Sequence, residues 1–167
     1  MHTAVAKQGD FAGSDRLLFG LVLGVLTFWL FAQSTLNIAP AMAADLGVAA
    51  GLMNIAVAAA ALFSGIFTVV FGGLADRVGR LRMVRIGFQL AIAGSLLIAL
   101  APAGTPGAAM LLSGRALQGL SAACILPASL ALVKTCWGGA DRQRAISLWS
   151  MGAWGGAGIF KMASALG

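Results

Sequence analysis

Two groups of polar residues stand out in a chain built mostly of apolar side chains, and both suit charge pairing rather than bond breaking. The first is Gly72-Gly73-Leu74-Ala75-Asp76-Arg77-Val78-Gly79-Arg80-Leu81-Arg82-Met83, with one acid among arginines and glycines on either side. Gly lacks a Cβ and tolerates positive φ, so the chain can turn sharply here between two helix ends. Asp76 can sit against a helix N-terminus, while Arg77, Arg80 and Arg82 hold the turn in a headgroup layer. The expected role is a conformational latch formed by Gly72, Asp76, Arg77, Gly79 and Arg80, not a ligand site. The second group is Ser113-Gly114-Arg115-Ala116-Leu117-Gln118-Gly119. A guanidinium stays charged in any protein environment, so Arg115 within an apolar run demands a partner or water. Gln118 and Gly119 follow on the same helical face: Gln118 can orient the guanidinium, and Gly119 gives a neighbouring helix room to approach. The competing reading has Arg115 snorkelling to the outer interface, about two turns from Ala108.

A third, weaker group lies in Phe31-Ala32-Gln33-Ser34-Thr35-Leu36-Asn37. Gln33 and Asn37 are four apart and share a helix face, which must point to other helices or to an aqueous cavity. With Phe31 they are candidates for a substrate cavity; interhelical hydrogen bonding explains the two amides equally well. Phe28, Trp29, Met53, Phe63 and Phe67 offer an apolar, adaptable surface to the same kind of ligand, or simply face lipid. Catalysis finds no support. Ser64-Gly65 and Ser113-Gly114 have no histidine in any apolar run to activate a serine, and His2 sits in the polar tail. No catalytic residue, metal site or cofactor is expected.

These groups must be positioned by membrane helices. Of the 167 residues, 60% are hydrophobic and 10% charged, and the mean hydropathy is +0.95, so a bilayer has to act as solvent. The net charge of +6 does not indicate a nucleic-acid surface. Most of the basic residues fall in gaps between apolar runs, with no polar domain on which a binding face could form. Cys124 and Cys136 do not suggest a disulfide framework.

Five helical spans are expected: Leu17–Ala39, Leu52–Leu74, Met83–Ala101, Ala108–Val133 and Ala145–Leu166. The connections are Pro40–Gly51, Ala75–Arg82, Pro102–Gly107 and Lys134–Arg144. The second and fourth hold Arg77, Arg80, Arg82, Lys134, Arg142 and Arg144; the first and third hold no Lys or Arg. Lys7 and Arg16 precede the first span, so the positive-inside rule puts the N-terminus and both basic connections in the cytoplasm. Ala41-Met42-Ala43 resembles a signal-peptidase site, but the preceding apolar stretch is longer than a signal core and is interrupted by Gln33, Ser34 and Asn37. Trp137 and Trp149 fit an interfacial belt. Pro127 should kink the fourth span by freeing the carbonyl of Ala123. The acids Asp10, Asp15, Asp45, Asp76 and Asp141 all lie outside the spans.

The pattern G-x-L-a-D-R-x-G-R at Gly72–Arg80 resembles the loop between the second and third helices of the major facilitator superfamily. Leu81 departs from it, and Arg82 supplies the basic charge one place later. Arg115–Ala123 resembles the fourth-helix pattern R-x-x-Q-G-x-x-A-A, whose arginine is implicated in coupling in that family. The run Gln33–Pro40 resembles the first-helix signature of the multidrug branch, where an acid often precedes a T-x-x-N-x-A pattern; here Ala32 stands at the acid's position, followed by Gln33. Asp141–Trp149 resembles the cytoplasmic start of helix five. Gly152–Gly158 resembles the Gly-rich fifth-helix motif of drug antiporters without its proline. Thr27–Ser34 and Arg142–Ala145 further resemble quinolone-efflux permeases of the NorB type, in the drug:proton antiporter branch with fourteen helices.

The resemblance implies an all-α integral membrane protein: an incomplete N-terminal helical bundle of the major facilitator fold with about five transmembrane helices, multi-pass in the inner (cytoplasmic) membrane. It divides into a cytoplasmic tail over 1–16, a partial transporter bundle over 17–158, and a tail over 159–167. That last tail carries Lys161 and is more like a late helix of the C-terminal half, which suggests an internal deletion after Gly158; the alternative is a divergent helix five in a chain cut at Gly167. The family's activity is multidrug, quinolone-type efflux by proton antiport. Its implied partners are small hydrophobic or cationic drugs, protons and the lipid bilayer, with no nucleic acid. Alternating access needs two bundles, so the short chain is expected to be inactive alone. The alternative is a non-transporting membrane protein that associates with itself or with a full-length permease through Gly-rich faces.

Overall fold

The computed structural model describes the backbone of residues 14–165 and the side chains of 14–30 and 37–153. The described residues form five helices: α1 (Asp15–Leu46), α2 (Ala50–Val78), α3 (Arg80–Ala99), α4 (Thr105–Cys136) and α5 (Gly139–Ala165). Among the described residues α2, α3 and α4 are long and apolar enough to cross a membrane; α1 and α5, at 32 and 27 residues, have the length to do so.

The helices run further than the apolar periods alone indicate, and the connections shrink accordingly. Ser14 caps α1 by accepting from the Leu17 amide. The helix then continues through Pro40, where the sequence suggests a break, and ends at Gly47 (φ 63°). There the Gly47 amide donates to the Ala44 carbonyl and the Val48 amide to that of Ala43, a left-handed glycine cap that Pro40 cannot supply. Proline's fixed φ suits a helix, and the Ala-Met-Ala-Ala-Asp-Leu run after it has good helix formers. The expected loop Pro40–Gly51 is therefore only residues 47–49, and the expected loop Ala75–Arg82 is almost wholly helical. One residue, Gly79 (φ 106°), both ends α2 and begins α3. A side chain there would be strained, so Gly79 alone makes the reversal.

α4 is the central element. It packs most extensively on α3 and α2, which touch each other little, and it meets α1 and α5 as well; α1 packs chiefly on α5. Small residues set these approaches. A Cβ at Gly94 would stand 2.7 Å from the Gly114 carbonyl oxygen, and one at Gly119 would strike the backbone of Ala60. Backbone-to-backbone approach of this kind is how helices associate where lipid removes the hydrophobic drive between them.

The two ends of the bundle differ in charge. At one end Leu18, Leu21, Ala75, Met83, Val133 and Trp137 form a buried cluster. Arg16, Arg77, Arg82, Arg85, Lys134, Arg142 and Arg144, all exposed, belong to the helix ends gathered there. At the other end Leu46, Met53, Ala56 and Leu111 pack together, and the Gly104 amide donates to the Leu46 carbonyl at 2.8 Å. The segments joining the helices there contain no lysine or arginine.

The tryptophans expected in an interfacial belt turn inward. Trp137 is buried in the first cluster. Trp149 donates its indole N–H to Ser129 Oγ at 3.0 Å, and Ser129 Oγ donates to the Leu126 carbonyl at 3.0 Å. A half-buried indole N–H turned away from water needs an acceptor, and a serine on the central helix provides one. α4 continues through Pro127 to Cys136.

Candidate substrate cavity and charged latch

The latch is built where α2 ends, α3 begins and α4 finishes. Arg80, the first residue of α3, donates from Nε and Nη2 to Asp76 Oδ1 at 3.1 and 3.0 Å. Its Nη1 reaches across to α4, donating to the Ala131 carbonyl at 3.0 Å and to Thr135 Oγ1. Thr135 Oγ1 itself donates to the same carbonyl at 2.7 Å. One guanidinium thus joins three helices through its planar fork, which a lysine could not reproduce. Arg77 and Arg82 are exposed and take no part in this junction. Gly72 faces α4: a Cβ there would lie 3.7 Å from Pro127 Cβ, an ordinary contact. Gly72 is therefore not required by space, and of the latch glycines only Gly79 is required by backbone geometry.

The second group lies inside. Arg115 is 3% exposed and Gln118 8% exposed. Arg115 Nη1 donates to Gln118 Oε1 at 2.7 Å, and Gln118 Nε2 donates to Ser95 Oγ of α3 at 3.2 Å. Gln118 therefore holds the guanidinium with its oxygen and anchors itself with its nitrogen. Arg115 does not snorkel; it faces a cavity of about 420 Å³ enclosed by α1, α2, α3 and α4. That volume falls in the range of drug-sized sites. Phe28 and Trp29 of α1, with rings edge-on at 5.8 Å, and Phe88 of α3 supply its aromatic walls. Ser64, Ser95 and Ser121 supply its hydroxyls. Ser121 Oγ is buried with no hydrogen-bond partner. Among the described residues no Asp or Glu lines the cavity, and Asp15, Asp45, Asp76 and Asp141 are all exposed.

Of the other sequence candidates, Asn37 is exposed and does not line the cavity. The side chains of Phe31 and Gln33 lie outside the described residues. Phe28 and Trp29 do line the cavity, whereas Phe63, Phe67 and Phe71 form a ladder along α2 with centroids 6.0 and 5.4 Å apart. Ser95, Ser121 and Thr135 escape the sequence reading, since a lone hydroxyl in an apolar run carries no periodic signal. Arg85, inside the third span by the sequence reading, is exposed and belongs with the basic end. The segment 159–167 continues α5 as far as Ala165; the side chain of Lys161 lies outside the described residues.

The central, small-residue helix α4 thus carries an internal arginine braced by a glutamine and, nearer its other end, meets a charged single-glycine reversal. Residues 17–166 match the Major Facilitator Superfamily. The chain belongs to that superfamily. It is 50% identical over 153 residues to the quinolone resistance protein NorB of Staphylococcus aureus strain MRSA252, covering 92% of this chain and 32% of the relative. It is likewise 50% identical over 149 residues to NorB of strain JH9, covering 89% and 31%. The chain spans about a third of the length of the curated relatives it matches. As a member of the major facilitator superfamily it is a multi-pass membrane protein of the transport class, and the five helices of the described residues form a partial N-terminal bundle of that fold.

Proposed function

We propose that the chain supplies the first helices of a quinolone-type multidrug efflux permease, with the cavity between α1 and α4 as part of its drug path. The observation that carries this reading is the cavity itself: drug-sized, mostly apolar, walled by Phe28, Trp29 and Phe88, and holding Arg115 at its polar end. Apolar walls with few, placed polar groups are what a binding site for varied aromatic drugs requires. The relatives' name, quinolone resistance protein, points the same way. Energy comes from proton antiport in the complete transporter, where a second bundle completes the alternating-access machine. The basic end, with Arg77, Arg80, Arg82, Lys134, Arg142 and Arg144, faces the cytoplasm of the inner membrane by the positive-inside rule. Asp76 and Arg80 act as the latch, and Arg115 with Gln118 couples the cavity to conformational change.

A hybrid tests the proposal. This chain replaces the aligned segment of NorB from strain MRSA252 in cells lacking other efflux pumps, and norfloxacin accumulation is measured with and without an uncoupler. Lowered accumulation that the uncoupler abolishes is the expected result. An inserted, stable hybrid with no export of norfloxacin or ethidium would refute the proposal.

A further inference from the structure

The free face of α3 is polar to a greater depth than the charged end of the bundle requires. Gly87 and Gly94 face α4. Arg82, Arg85 and Gln89 lie on the opposite side, all exposed, within about 60° of one another around the helix at about 100° per residue. Ile92, Leu96 and Leu100, also exposed, continue the same stripe. Gly79 gives a common origin for depth, since α2 ends and α3 begins there. Arg85 stands six residues and Gln89 ten residues beyond it, about 9 and 15 Å along the axis at about 1.5 Å per residue. Six and ten residues before it, the free face of α2 shows Gly73 and Val69, the latter 81% exposed. The polar intrusion therefore belongs to the face of α3, and the positive bias of the connections does not explain it.

These three side chains are unsatisfied by the protein. Among the described residues the ion pair of Arg80 with Asp76 is the only one, and Arg82, Arg85 and Gln89 make no side-chain hydrogen bond. Helix side chains lean toward the N-terminus, so both guanidinium groups return toward the headgroup layer on their long stems. Gln89 has only two methylenes and stays at the level of apolar chains, where an unsatisfied amide is costly. We propose that this face of α3 binds an anionic phospholipid: Arg82 and Arg85 hold its phosphate, Gln89 donates to a glycerol ester carbonyl, and an acyl chain runs along Ile92 and Leu96. A planar guanidinium fork matches phosphate oxygens. A net anionic headgroup is selected because a zwitterionic one brings its own cation to two arginines that have no acid partner. The surface lies outside the cavity between α1 and α4 and does not depend on what that cavity carries.

Local quenching on the purified full chain in detergent micelles tests this. In a background without Cys124 and Cys136, a fluorophore on Ile92→Cys reports brominated phosphatidylglycerol or brominated phosphatidylcholine with the same chains. Each arginine beside an anionic headgroup is worth about fivefold in affinity. Phosphatidylglycerol should therefore quench at a concentration about tenfold or more below phosphatidylcholine, whereas the same label on Val69→Cys should show no preference. Arg82→Gln with Arg85→Gln should abolish the preference at Ile92. Arg142→Gln with Arg144→Gln, which takes the same charge from the same end, should keep it. Gln89→Leu should weaken both lipids several-fold and keep their ratio; no change would remove the amide from the site. The comparison of Ile92 with Val69 decides the matter if the double variant of Arg82 and Arg85 fails to fold. Equal quenching by the two lipids at Ile92, an equal preference at Val69, or equal losses in both arginine pairs would overturn the site and leave only a diffuse positive field. Displacement of phosphatidylglycerol by an equal concentration of glycerol 3-phosphate would overturn the lipid as ligand. Absence of quenching by either lipid, with disulfide dimers forming through Ile92→Cys, would place a second copy of the chain on this face instead.

Discussion

Gly94→Ala should loosen the bundle while leaving its charges and side-chain hydrogen bonds untouched. The added Cβ would stand 2.7 Å from the Gly114 carbonyl oxygen, 3.1 Å from Gln118 Cγ and 3.2 Å from Leu117 Cβ. The first neighbour is backbone and cannot rotate away, so α3 and α4 must part by about 0.7 Å to reach the short end of ordinary contact, and a gap of that size forfeits about a quarter to a half of the local dispersion energy. Overpacking a tight interface costs about 1–3 kcal/mol, which in a chain of this size lowers the melting temperature by about 2–4 °C for each kcal/mol. With the partly exposed Cys136 replaced by serine, the reporter is Cys124, 1% exposed, which a thiol-reactive fluorogen reaches only when α4 comes free. Gly20→Ala is the control: nothing lies within 4 Å of a Cβ there, and alanine in a helix gains up to about 1 kcal/mol over glycine. The expected order of Cys124 labelling temperatures is Gly20→Ala at or above wild type and Gly94→Ala several degrees below. Equal temperatures for the two variants would refute the close-approach argument for α3 and α4.

Three further outcomes follow from the described geometry. Arg80→Lys should keep the charge but lose the three-helix junction with Asp76, Ala131 and Thr135, and in the NorB hybrid it and Asp76→Asn should each impair efflux and shift the inward–outward balance; unchanged transport in both would remove the latch role. In a background without Cys124 and Cys136, a cysteine at Ala103 should react with an impermeant maleimide on intact cells and one at Val78 should not; the reverse pattern would invert the assigned orientation. Expressed alone, the chain should confer no norfloxacin or ethidium resistance, because the five helices of the described residues make up one partial bundle and alternating access requires two; energy-dependent efflux by a preparation with no oligomer would contradict that.

Much of the architecture is legible in the apolar runs, because backbone in lipid has only the helix to satisfy it. The Arg115–Gln118 bond follows from their i, i+3 spacing, and the approach at Gly119 from its size. What stays hidden depends on partners distant in sequence. Arg80 meets Thr135 and Ala131 only because α4 lies between α2 and α3, and no periodicity encodes that. Ser95 and Ser121 are indistinguishable from other small residues until the cavity forms around them. Pro40 misleads for a different reason. It signals a break on average, but its ring is compatible with a helix and the Schellman-type end is set by Gly47, seven residues later.

The single residue between α2 and α3 has a mechanical consequence. Two helices joined through Gly79 alone have no slack: sliding one against the other by even the 1.5 Å of one residue's rise would have to be absorbed in that one pair of torsions. With α4 keyed to α2 at Gly119 and to α3 at Gly94, these three helices move as one stiff lever. The cavity is then a jaw with a fixed side and a compliant one. Arg115, Gln118, Ser121 and Phe88 ride on the lever, while Phe28 and Trp29 ride on α1, whose main neighbour is α5. A change of gape would fall on the α1 wall, so the polar groups and Phe88 keep their mutual geometry while the Phe28 and Trp29 wall yields.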